Sequence, residues 1–276
     1  MAKNSVPSKI YSKEYYLTIN DGGALTAQDN ALSPRLEYTL DRAQMKRGDI
    51  VLDIGCGSGE LSFNAAKRVK RVIGIDYSSD AIQMCKRKQR TAPYGKRITF
   101  FRMDATRIST LDVKKGSVNV VFMTDVVEHL YPAQLEKMLR GLRPLLAPDA
   151  RLIIHTAPNL EFYRYGYPLI RMAYPLLRRI RPLRDLLWTK PNWKGRYRLP
   201  KDPEKGSHNK MGHVNEQTPA TLRKTLEHCG YTSKIWVIPF LRPAKSVAVR
   251  MVYALCSLPG LKQIFGAEIF AIARSR

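Results

Sequence analysis

Apolar and polar positions along this chain fall into blocks that predict strands and helices in turn. Five short runs rich in Val, Ile and Phe are bounded by polar or turn-forming residues, which is typical of buried strands. These runs are residues 50–54, 71–75, 98–103, 118–123 and 152–156. Apolar residues at helical spacing occupy 79–90 and 132–142 between them. Because strands that alternate with helices need crossover connections, the pattern predicts an α/β fold with a mostly parallel sheet.

The carboxyl-terminal part of the chain continues this pattern. Thr218 followed by Pro219 predicts the start of a helix, and Gly230 predicts its end. A sixth strand is predicted at 234–239, and the apolar run 264–273 predicts a final strand. The chain then divides into four parts, namely amino-terminal cap helices at 1–44, a core at 45–159, an insertion at 160–213 and the completion of the core at 214–276, with a second insertion at about 240–263.

Composition limits the class of protein. A chain of 276 residues with 44% hydrophobic residues can bury one core and an elaboration of it. The four cysteines are far apart and no amino-terminal apolar signal is present, which predicts a reducing cytoplasmic location and no structural zinc, so we assign no metal site. Apolar stretches end well short of the roughly 20 residues that cross a bilayer.

The first strand leads into a loop whose glycines suit a ligand. Gly55, Gly57 and Gly59 alternate, and glycines allow a tight turn in which the backbone closely approaches a bound molecule. The spacing differs from the G-x-G-x-x-G of dinucleotide sites, no Gly-Lys-Ser/Thr follows, and Glu60 would repel phosphate. Asp76, at the tip of the second strand, is placed as a carboxylate that accepts both hydroxyls of a ribose. The pattern indicates a nucleoside cofactor without phosphates.

Three motifs in order, D-I-G-C-G-S-G-E, G-I-D-Y-S and M-D-A, resemble those of class I S-adenosylmethionine-dependent methyltransferases. The resemblance extends over residues 47–156. It implies S-adenosylmethionine as cofactor and a Rossmann-like sheet of seven strands, mostly parallel with the last antiparallel. It also implies a set of cofactor-binding residues, which are Asp53, Gly55, Cys56 and Gly57 near the methionine part, Asp76 and Tyr77 near the ribose and adenine, Asp104 and Ala105 at the adenine edge, and Thr124 closing the pocket. Asp104 has an alternative interpretation as a turn former, which is common for an aspartate after a strand.

The segment T-D-V-V-E-H after the fourth strand resembles the S/M-E-x-x-E-H segment of polyprenyl-quinone O-methyltransferases, with Asp125 in place of glutamate. In that family these residues are implicated in catalysis or in holding a divalent metal, which implies catalytic roles for Asp125, Glu128 and His129. An imidazole suits removal of a phenol proton because its ordinary pKa is about 6.5. The alternative is that Glu128 and His129 only orient the helix. His213, just before the capped helix, is a second candidate base or a loop histidine bonded to the backbone, and residues 14–16 resemble a segment that covers the cofactor.

Much of the net charge of the chain lies in the two insertions. Lysine and arginine number 47 against 23 acidic residues, a net charge of +24, and tyrosines and tryptophans alternate with arginines in 160–213. The second insertion has no acidic residue and resembles a basic amphipathic helix. Both insertions are predicted to leave the carboxyl edge of the sheet and to form a wall that docks on an anionic membrane surface. The alternatives are a nucleic-acid surface and a basic lid that packs its leucines on the domain.

The sequence therefore predicts a cytoplasmic, peripherally membrane-associated methyltransferase that acts on an oxygen of a small or lipid-linked amphiphilic acceptor. Oxygen is favoured over nitrogen or carbon by the resemblance alone. An RNA or DNA methyltransferase is the alternative, but Thr124-Asp125-Val126-Val127 stands where enzymes acting on exocyclic amines of bases have D/N-P-P-Y/F. A binding protein without catalysis is disfavoured by the intact cofactor motifs.

Overall fold

One seven-stranded sheet, in the order β3-β2-β1-β4-β5-β7-β6, forms the centre of the molecule. The structure is a computed structural model that describes residues 6–18, 32–177, 179, 212–239 and 246–276. The strands are β1 (Ile50–Ile54), β2 (Arg71–Asp76), β3 (Ile98–Arg102), β4 (Val118–Thr124), β5 (Leu146–Thr156), β6 (Tyr231–Ile238) and β7 (Glu268–Ser275). β1 to β5 pair in parallel, whereas β7 lies antiparallel to both β5 and β6. The predicted α/β fold with an antiparallel last strand is confirmed.

Helices cover both faces of the sheet and extend from its carboxyl edge. They are α1 (Lys13–Thr18), α2 (Pro34–Arg42), α3 (Glu60–Ala66), α4 (Ser79–Gln89), α5 (Pro132–Leu142), α6 (Tyr167–Leu177), α7 (Pro219–His228), α8 (Val247–Cys256) and α9 (Leu261–Phe265). Short 3-10 turns occur at Ser8–Ile10, Gly95–Arg97, Ala105–Thr110, Val127–His129 and Arg143–Leu145, and a π-helix at Phe162–Gly166 leads into α6. The predicted helix starts at Ser79, Pro132 and Pro219 are confirmed, and Gly230 ends α7 at a φ of 84°.

The sheet is buried on both faces because its strands read as nearly continuous apolar runs. Alternate side chains of β1 point to opposite faces, so Leu52 and Ile54 belong to one apolar cluster and Val51 to the other. The apolar stripe of α5 packs in the first cluster, and those of α3 and α4 pack in the second. The packing of helices on both faces of the sheet sets where each strand ends, and therefore where the side chains that follow the strands are placed.

The structure corrects the last strand. Ile264 and Phe265 belong to the short helix α9, and the strand covers Glu268–Ser275 rather than 264–273. Gly266 ends the helix in an extended conformation, and an uninterrupted apolar run does not reveal by its periodicity where helix gives way to strand. β6 begins at Tyr231, three residues before the predicted start, because Tyr231 is fully buried and its hydroxyl donates to the Leu139 carbonyl at 2.7 Å.

Both predicted insertions leave the carboxyl edge of the sheet, after β5 and after β6. Among the described residues, the first insertion contains α6, and the second insertion contains α8 and α9. Residues 180–211, which hold much of the predicted basic aromatic insertion, lie outside the described residues, as do 1–5, 19–31, 178 and 240–245. The division of the chain into four parts stays a prediction.

Candidate active site

A cleft opens above the carboxyl ends of β1, β2 and β4, with about 1280 Å³ of space including its open mouth. All nine residues predicted to bind the cofactor line it, namely Asp53, Gly55, Cys56, Gly57, Asp76, Tyr77, Asp104, Ala105 and Thr124. Two of the four predicted catalytic residues, Asp125 and His129, also line it. The strands converge here because the carboxyl ends of parallel neighbours meet at one edge of the sheet.

The glycine loop after β1 forms the floor of the cleft. Gly55, Gly57 and Gly59 have φ values of 68°, 53° and 86°, which lie in the left-handed region that favours glycine. The Gly55 amide donates to the Ile75 carbonyl at 2.8 Å, which ties the loop to β2. A Cβ atom on Gly55 would lie 2.6 Å from Cγ2 of Val126. The loop is therefore bare backbone for both conformational and steric reasons.

Asp76 is held in place by the loop that it faces. Its carboxylate accepts hydrogen bonds from the Gly57 amide at 3.0 Å and from the Ser78 amide at 2.8 Å. Burial raises the pKa of this carboxyl above its ordinary value, and the two amides oppose that shift. The Ser78 side chain, not that of Asp76, accepts the Ala81 amide at the start of α4, so capping of that helix does not account for an aspartate at position 76.

Asp53 lies beneath the loop, where it is 2% exposed and accepts a hydrogen bond from the Ser62 hydroxyl at 2.6 Å. Burial raises the pKa of Asp53 to about 7, with smaller contributions from Asp76 and Glu60. A carboxyl of this kind is ready to meet a cationic group that enters the cleft, since a positive charge would favour its ionised form.

Thr124, at the end of β4, offers an unused polar atom to the cleft. Within the described part of the chain its Oγ1 is buried and has no hydrogen-bond partner. A buried hydroxyl without a partner costs free energy unless a ligand or water satisfies it. Asp104 is already engaged in part, because its Oδ1 accepts from the Thr106 amide at 2.8 Å and so caps a 3-10 turn. The turn-forming role of Asp104 is therefore present in the structure, and its adenine contact stays a prediction.

Asp125 belongs to a line of four ionisable groups that sequence reasoning did not find. Its carboxylate pairs with the guanidinium of Arg35 at 3.1 Å and with Nδ1 of His155 at 2.6 Å. The other ring nitrogen of His155 lies 2.6 Å from Oε2 of Glu268. Burial alone would raise the pKa of Asp125, but Arg35 and His155 overcome it and hold that pKa below its ordinary range. With two cationic partners, Asp125 is placed to organise the cleft wall rather than to accept a proton.

His155 is fully buried between these two carboxylates. Burial would lower its pKa, but Asp125 and Glu268 outweigh it and raise the pKa of His155 to about 9. The imidazole is therefore a cation at neutral pH. Nothing in the local sequence signals this role, because His155 reads as one more position of an apolar strand and its partners lie 30 and 113 residues away.

His129 faces the cleft in a neutral form. Burial and the neighbouring His213 lower its pKa to about 4, and its Nδ1 lies 2.8 Å from the Tyr11 hydroxyl and 3.1 Å from the Gly212 carbonyl. Glu128 does not line the cleft, is 2% exposed and accepts from the Thr156 hydroxyl at 2.7 Å. Burial raises the pKa of Glu128 to about 7. Of the two, only His129 lines the cleft.

His213 lies behind His129, with ring centroids 5.0 Å apart, and its Nδ1 is 3.4 Å from a carboxylate oxygen of Glu216. His213 does not line the cleft, and its role as a second candidate base stays a prediction. One ligand atom each from Glu128, His129 and His213 lies within 4.8 Å of the others. Among the described residues this spacing is compatible with a divalent cation, and our prediction of no metal stays untested.

The amino-terminal segment closes one side of the cleft. Tyr11, Tyr15 and Tyr16 line it, and Tyr16 packs against the glycine loop. The Tyr77 hydroxyl donates to the Val6 carbonyl at 2.9 Å, and the Ser78 hydroxyl donates to the Tyr11 carbonyl at 2.7 Å. The predicted covering role of residues 14–16 agrees with this placement. The sequence did not predict the contact between Tyr11 and His129, because the two residues are 118 positions apart.

Comparison with known proteins agrees with this geometry. Residues 51–149 match the family described as a methyltransferase domain. The cypemycin N-terminal methyltransferase of a Streptomyces species is 32% identical over 131 residues, which is 45% of this chain and 51% of that protein. The ubiquinone biosynthesis O-methyltransferase of Coxiella burnetii is 27% identical over 136 residues, which is 49% of this chain and 54% of that protein. This chain spans about half the length of the curated relatives that it matches.

The fold has known counterparts as well. The structure of geranyl diphosphate C-methyltransferase from Streptomyces coelicolor, in complex with Mg2+, geranyl diphosphate and S-adenosyl-L-homocysteine, is similar with a TM-score of 0.54. Identity is 14%, and the likeness covers 88% of this chain and 78% of that one, so it shows the fold alone. Together with the family match, the comparisons confirm the predicted class I S-adenosylmethionine-dependent methyltransferase domain.

Proposed function

We propose that this chain, whose residues 51–149 form a class I S-adenosylmethionine-dependent methyltransferase domain, transfers a methyl group to an oxygen of a small or lipid-like amphiphilic acceptor. The observation that carries the proposal is the cleft above the sheet, which all nine predicted cofactor-binding residues line. Two features support the fit of the cofactor. The glycine loop leaves room for a ligand against the backbone, and the buried Thr124 hydroxyl faces that space without a partner among the described residues.

The chain's own residues hold the reactants and exclude water. Asp76 would hold the ribose hydroxyls of the cofactor, and Asp53 would meet the cationic amino group of its methionine part. When bound, S-adenosylmethionine supplies an activated methyl on its sulfonium, so the protein mainly aligns acceptor, methyl carbon and sulfur. Tyr11, Tyr15 and Tyr16 cover the cleft and keep it dry.

His129 is the group that takes the acceptor proton. It is neutral at physiological pH because its pKa is lowered to about 4, and a neutral imidazole can accept a proton. In the tautomer that donates from Nδ1 to the Gly212 carbonyl, Nε2 keeps its lone pair for the acceptor hydroxyl. The Tyr11 hydroxyl lies 2.8 Å from the same Nδ1, and in this tautomer its oxygen accepts from that nitrogen. Asp125 and Glu128 act through position, since the first is paired with Arg35 and the second is bonded to Thr156 and does not line the cleft.

Several features favour an amphiphilic acceptor met at a membrane surface. Apolar and aromatic side chains line the cleft beside its polar groups, among them Leu36, Met103 and Leu130. Ubiquinone biosynthesis and geranyl diphosphate appear in the names of two similar proteins, and such molecules carry an apolar chain and a polar end. The net charge of +24 suits an anionic surface. The second candidate, an RNA or DNA methyltransferase, is favoured by the same charge and by a sequence pI of about 10.1.

The test uses methyl-labelled S-adenosylmethionine, the purified full chain and a cell extract, with products divided among organic solvent, water and nucleic-acid precipitate. We expect label in the organic phase. The variant Asp76→Asn should abolish it, because asparagine has one side-chain oxygen whereas the carboxylate accepts from the Gly57 and Ser78 amides on two separate oxygens. Asp112→Asn, at an exposed position away from the cleft, should leave the label unchanged. Label in the nucleic-acid fraction alone would overturn the acceptor class. Failure of the protein to bind S-adenosylhomocysteine would overturn the cofactor.

A further inference from the structure

Two helices outside the cleft expose apolar stripes to solvent. Nine large apolar side chains are exposed among the described residues, and eight of them lie on or beside α6 and α8. On α6, Leu169, Met172 and Leu176 are 44%, 72% and 67% exposed. Their spacing of three and four residues places them on one face of the helix. In a water-facing helix the apolar stripe normally turns inward, so this arrangement needs a partner.

The same arrangement recurs on α8. Val247, Met251 and Leu255 are 62%, 68% and 56% exposed at intervals of four residues, and Leu258 follows at 51%. The opposite side of each helix packs inward, through Tyr174 on α6 and Val249 on α8. The stripes are therefore additional to the residues that attach the helices. We call the exposed side chains of Leu169, Met172, Leu176, Val247, Met251, Leu255 and Leu258 the outer apolar face.

The two insertions are joined at their bases. The side chain of Asn159, which is fully buried after β5, donates to the Gly266 carbonyl at 2.8 Å and to the Gln263 carbonyl at 3.3 Å. The backbone of Gly166 lies so close to α9 that a Cβ atom there would be 2.2 Å from the Ile264 carbonyl oxygen. The base of α6 and the segment after α8 thus form one unit at the carboxyl edge, beside the cleft.

The charged residues within 162–177 and 246–265 are all basic, and Glu161 directly precedes the first of these ranges. Arg164, Arg171, Arg250 and Lys262 are on or next to these helices, and no acidic residue occurs in 162–177 or 246–265. A second copy of the chain would place like charges opposite each other. A nucleic acid would pair with the arginines but leave the apolar stripes in water. An anionic bilayer surface satisfies both features, since headgroups meet the basic residues and the acyl boundary takes the apolar side chains.

We propose that the outer apolar face is the membrane-docking surface of this protein, and that it lies in the headgroup region of an anionic phospholipid bilayer. This proposal rests on the proposed function, because it gives the amphiphilic acceptor a route from the bilayer to the cleft. Among the described residues, no helix is both long and apolar enough to cross a membrane. With 11 and 10 residues, α6 and α8 lie along the surface.

The test is co-sedimentation of the full chain with sucrose-loaded vesicles of phosphatidylcholine, with or without about 30% phosphatidylglycerol to supply negative charge. We expect binding to the anionic vesicles, and at least about tenfold weaker binding for the double variant Met172→Gln/Met251→Gln, which removes one inserted side chain from each helix. Raising NaCl from about 0.1 M to about 0.5 M should also weaken binding of the unchanged protein, since it shortens the range of charge attraction.

The control variant is Tyr94→Gln, which removes the ninth exposed apolar side chain, in the loop before β3 at the other edge of the sheet. It should bind vesicles as the unchanged protein does. Unchanged vesicle binding by the double variant would overturn the proposal, as would absence of binding to anionic vesicles. A dimer or a nucleic-acid complex that the double variant abolishes, without vesicle binding, would assign the surface to that partner instead.

Binding of S-adenosylhomocysteine, measured by calorimetry, separates this proposal from the proposed function. Both variants should bind it as the unchanged protein does, because the outer apolar face does not line the cleft. If the protein binds S-adenosylhomocysteine but not vesicles, the docking surface is wrong and the methyltransferase proposal stands. If it binds vesicles but not S-adenosylhomocysteine, the proposed function fails.

Discussion

At the scale of single residues, the neutral state of His129 is the property on which the proposed chemistry depends. The ring sits between Tyr11, Gly212 and His213, and burial together with the neighbouring His213 lowers its pKa to about 4, although the Gly212 carbonyl opposes that shift. A histidine with its ordinary pKa of about 6.5 would carry a proton in part at neutral pH and would lose that fraction of its capacity as a base. Burial therefore keeps His129 neutral, with a free lone pair, over the whole physiological range, but as a weaker base than an imidazole of ordinary pKa.

The substitution His129→Gln tests this role. Glutamine keeps a polar contact to Tyr11 but cannot take a proton, so we expect kcat to fall about 10²- to 10⁴-fold while the dissociation constant for S-adenosylhomocysteine stays unchanged. For the unchanged protein, no loss of kcat from protonation of His129 should appear above about pH 5, given its lowered pKa. Steady-state kinetics between pH 5 and 9 would show the fall in kcat and its pH dependence, and calorimetry would give the dissociation constant for S-adenosylhomocysteine.

His228→Gln serves as the matched control for that substitution, because His228 is 63% exposed on the surface and lies outside the cleft. Its kcat should equal that of the unchanged protein. If His129→Gln weakens cofactor binding as much as it lowers kcat, His129 is a structural residue, as the alternative interpretation of the E-H pair holds.

Two glycines allow conformation to be separated from crowding. Gly55 and Gly116 have nearly the same φ, 68° and 69°, but a Cβ atom on Gly55 would lie 2.6 Å from Val126 Cγ2 whereas one on Gly116 would meet nothing within 4 Å. Val126 is β-branched and buried, so it cannot swing aside cheaply. A side chain at position 55 should therefore disturb the glycine loop far more than the φ of Gly55 alone suggests.

We expect Gly116→Ala to cost about 1 kcal/mol of unfolding free energy and to leave S-adenosylhomocysteine binding intact. Gly55→Ala should weaken binding at least about tenfold, because the displaced loop no longer faces the ligand correctly. Urea unfolding and isothermal titration calorimetry measure the two effects. Equal binding by both variants would mean that the contact with Val126 has no part in shaping the cleft.

At the scale of elements, the line of Arg35, Asp125, His155 and Glu268 connects α2, β4, β5 and β7. Each partner comes from a different element, and His155 is fully buried where β5 meets the antiparallel strand. Breaking a buried ion pair by removing one partner costs about 3–5 kcal/mol, because a charge is left without compensation. This line therefore holds the left-handed turn at Asp125, with its φ of 55°, against the sheet.

The raised pKa of His155 predicts a pH dependence of stability. A histidine whose pKa rises from about 6.5 in the unfolded chain to about 9 in the fold stabilises fully below pH 6.5 and loses that contribution as the pH rises through 9. The loss is on the order of 3 kcal/mol. His155→Gln should be less stable at pH 6, and the difference from the unchanged protein should shrink toward pH 9.5.

Urea unfolding at several pH values measures that difference, and His228→Gln should follow the unchanged protein throughout. A gap that stays constant between pH 6 and 9.5 would contradict a protonated His155. The charged groups that face the ring are Asp125 and Glu268, with Arg35 beyond Asp125, so the variant removes one cation from a set of two carboxylates and one guanidinium.

The elements also show where sequence reasoning succeeds and where it stops. β1 and α5 agree with prediction to the residue, because turn formers and a proline bound them. The end of the chain was predicted as one strand from 264, whereas Gly266 divides helix from strand. An apolar run is equally compatible with a buried helix and a buried strand. Only the packing against β5 and β6 therefore decides the boundary between α9 and β7.

At the scale of the whole molecule, the exposed apolar surface is separated from the cofactor cleft. The cleft is built from the core at 50–130 and from the amino-terminal segment, whereas the outer apolar face belongs to the two insertions. They adjoin at the carboxyl edge because β5 and β6 end there and β7 begins there. One edge of the sheet thus carries both a reaction site and a surface for presenting an acceptor.

The sequence by itself determined the α/β fold, the mostly parallel direction of the strands that the crossovers imply, the glycine loop and the carboxylates that follow the strands. These features follow from local physics, since apolar periodicity, glycine conformation and strand ends act over a few residues. Tertiary structure alone decided that Tyr11 meets His129, that His155 is charged between Asp125 and Glu268, and that Glu128 bonds to Thr156 and does not line the cleft. Those contacts join residues 28 to 118 positions apart, and a protonation state depends on every neighbour that the fold brings close.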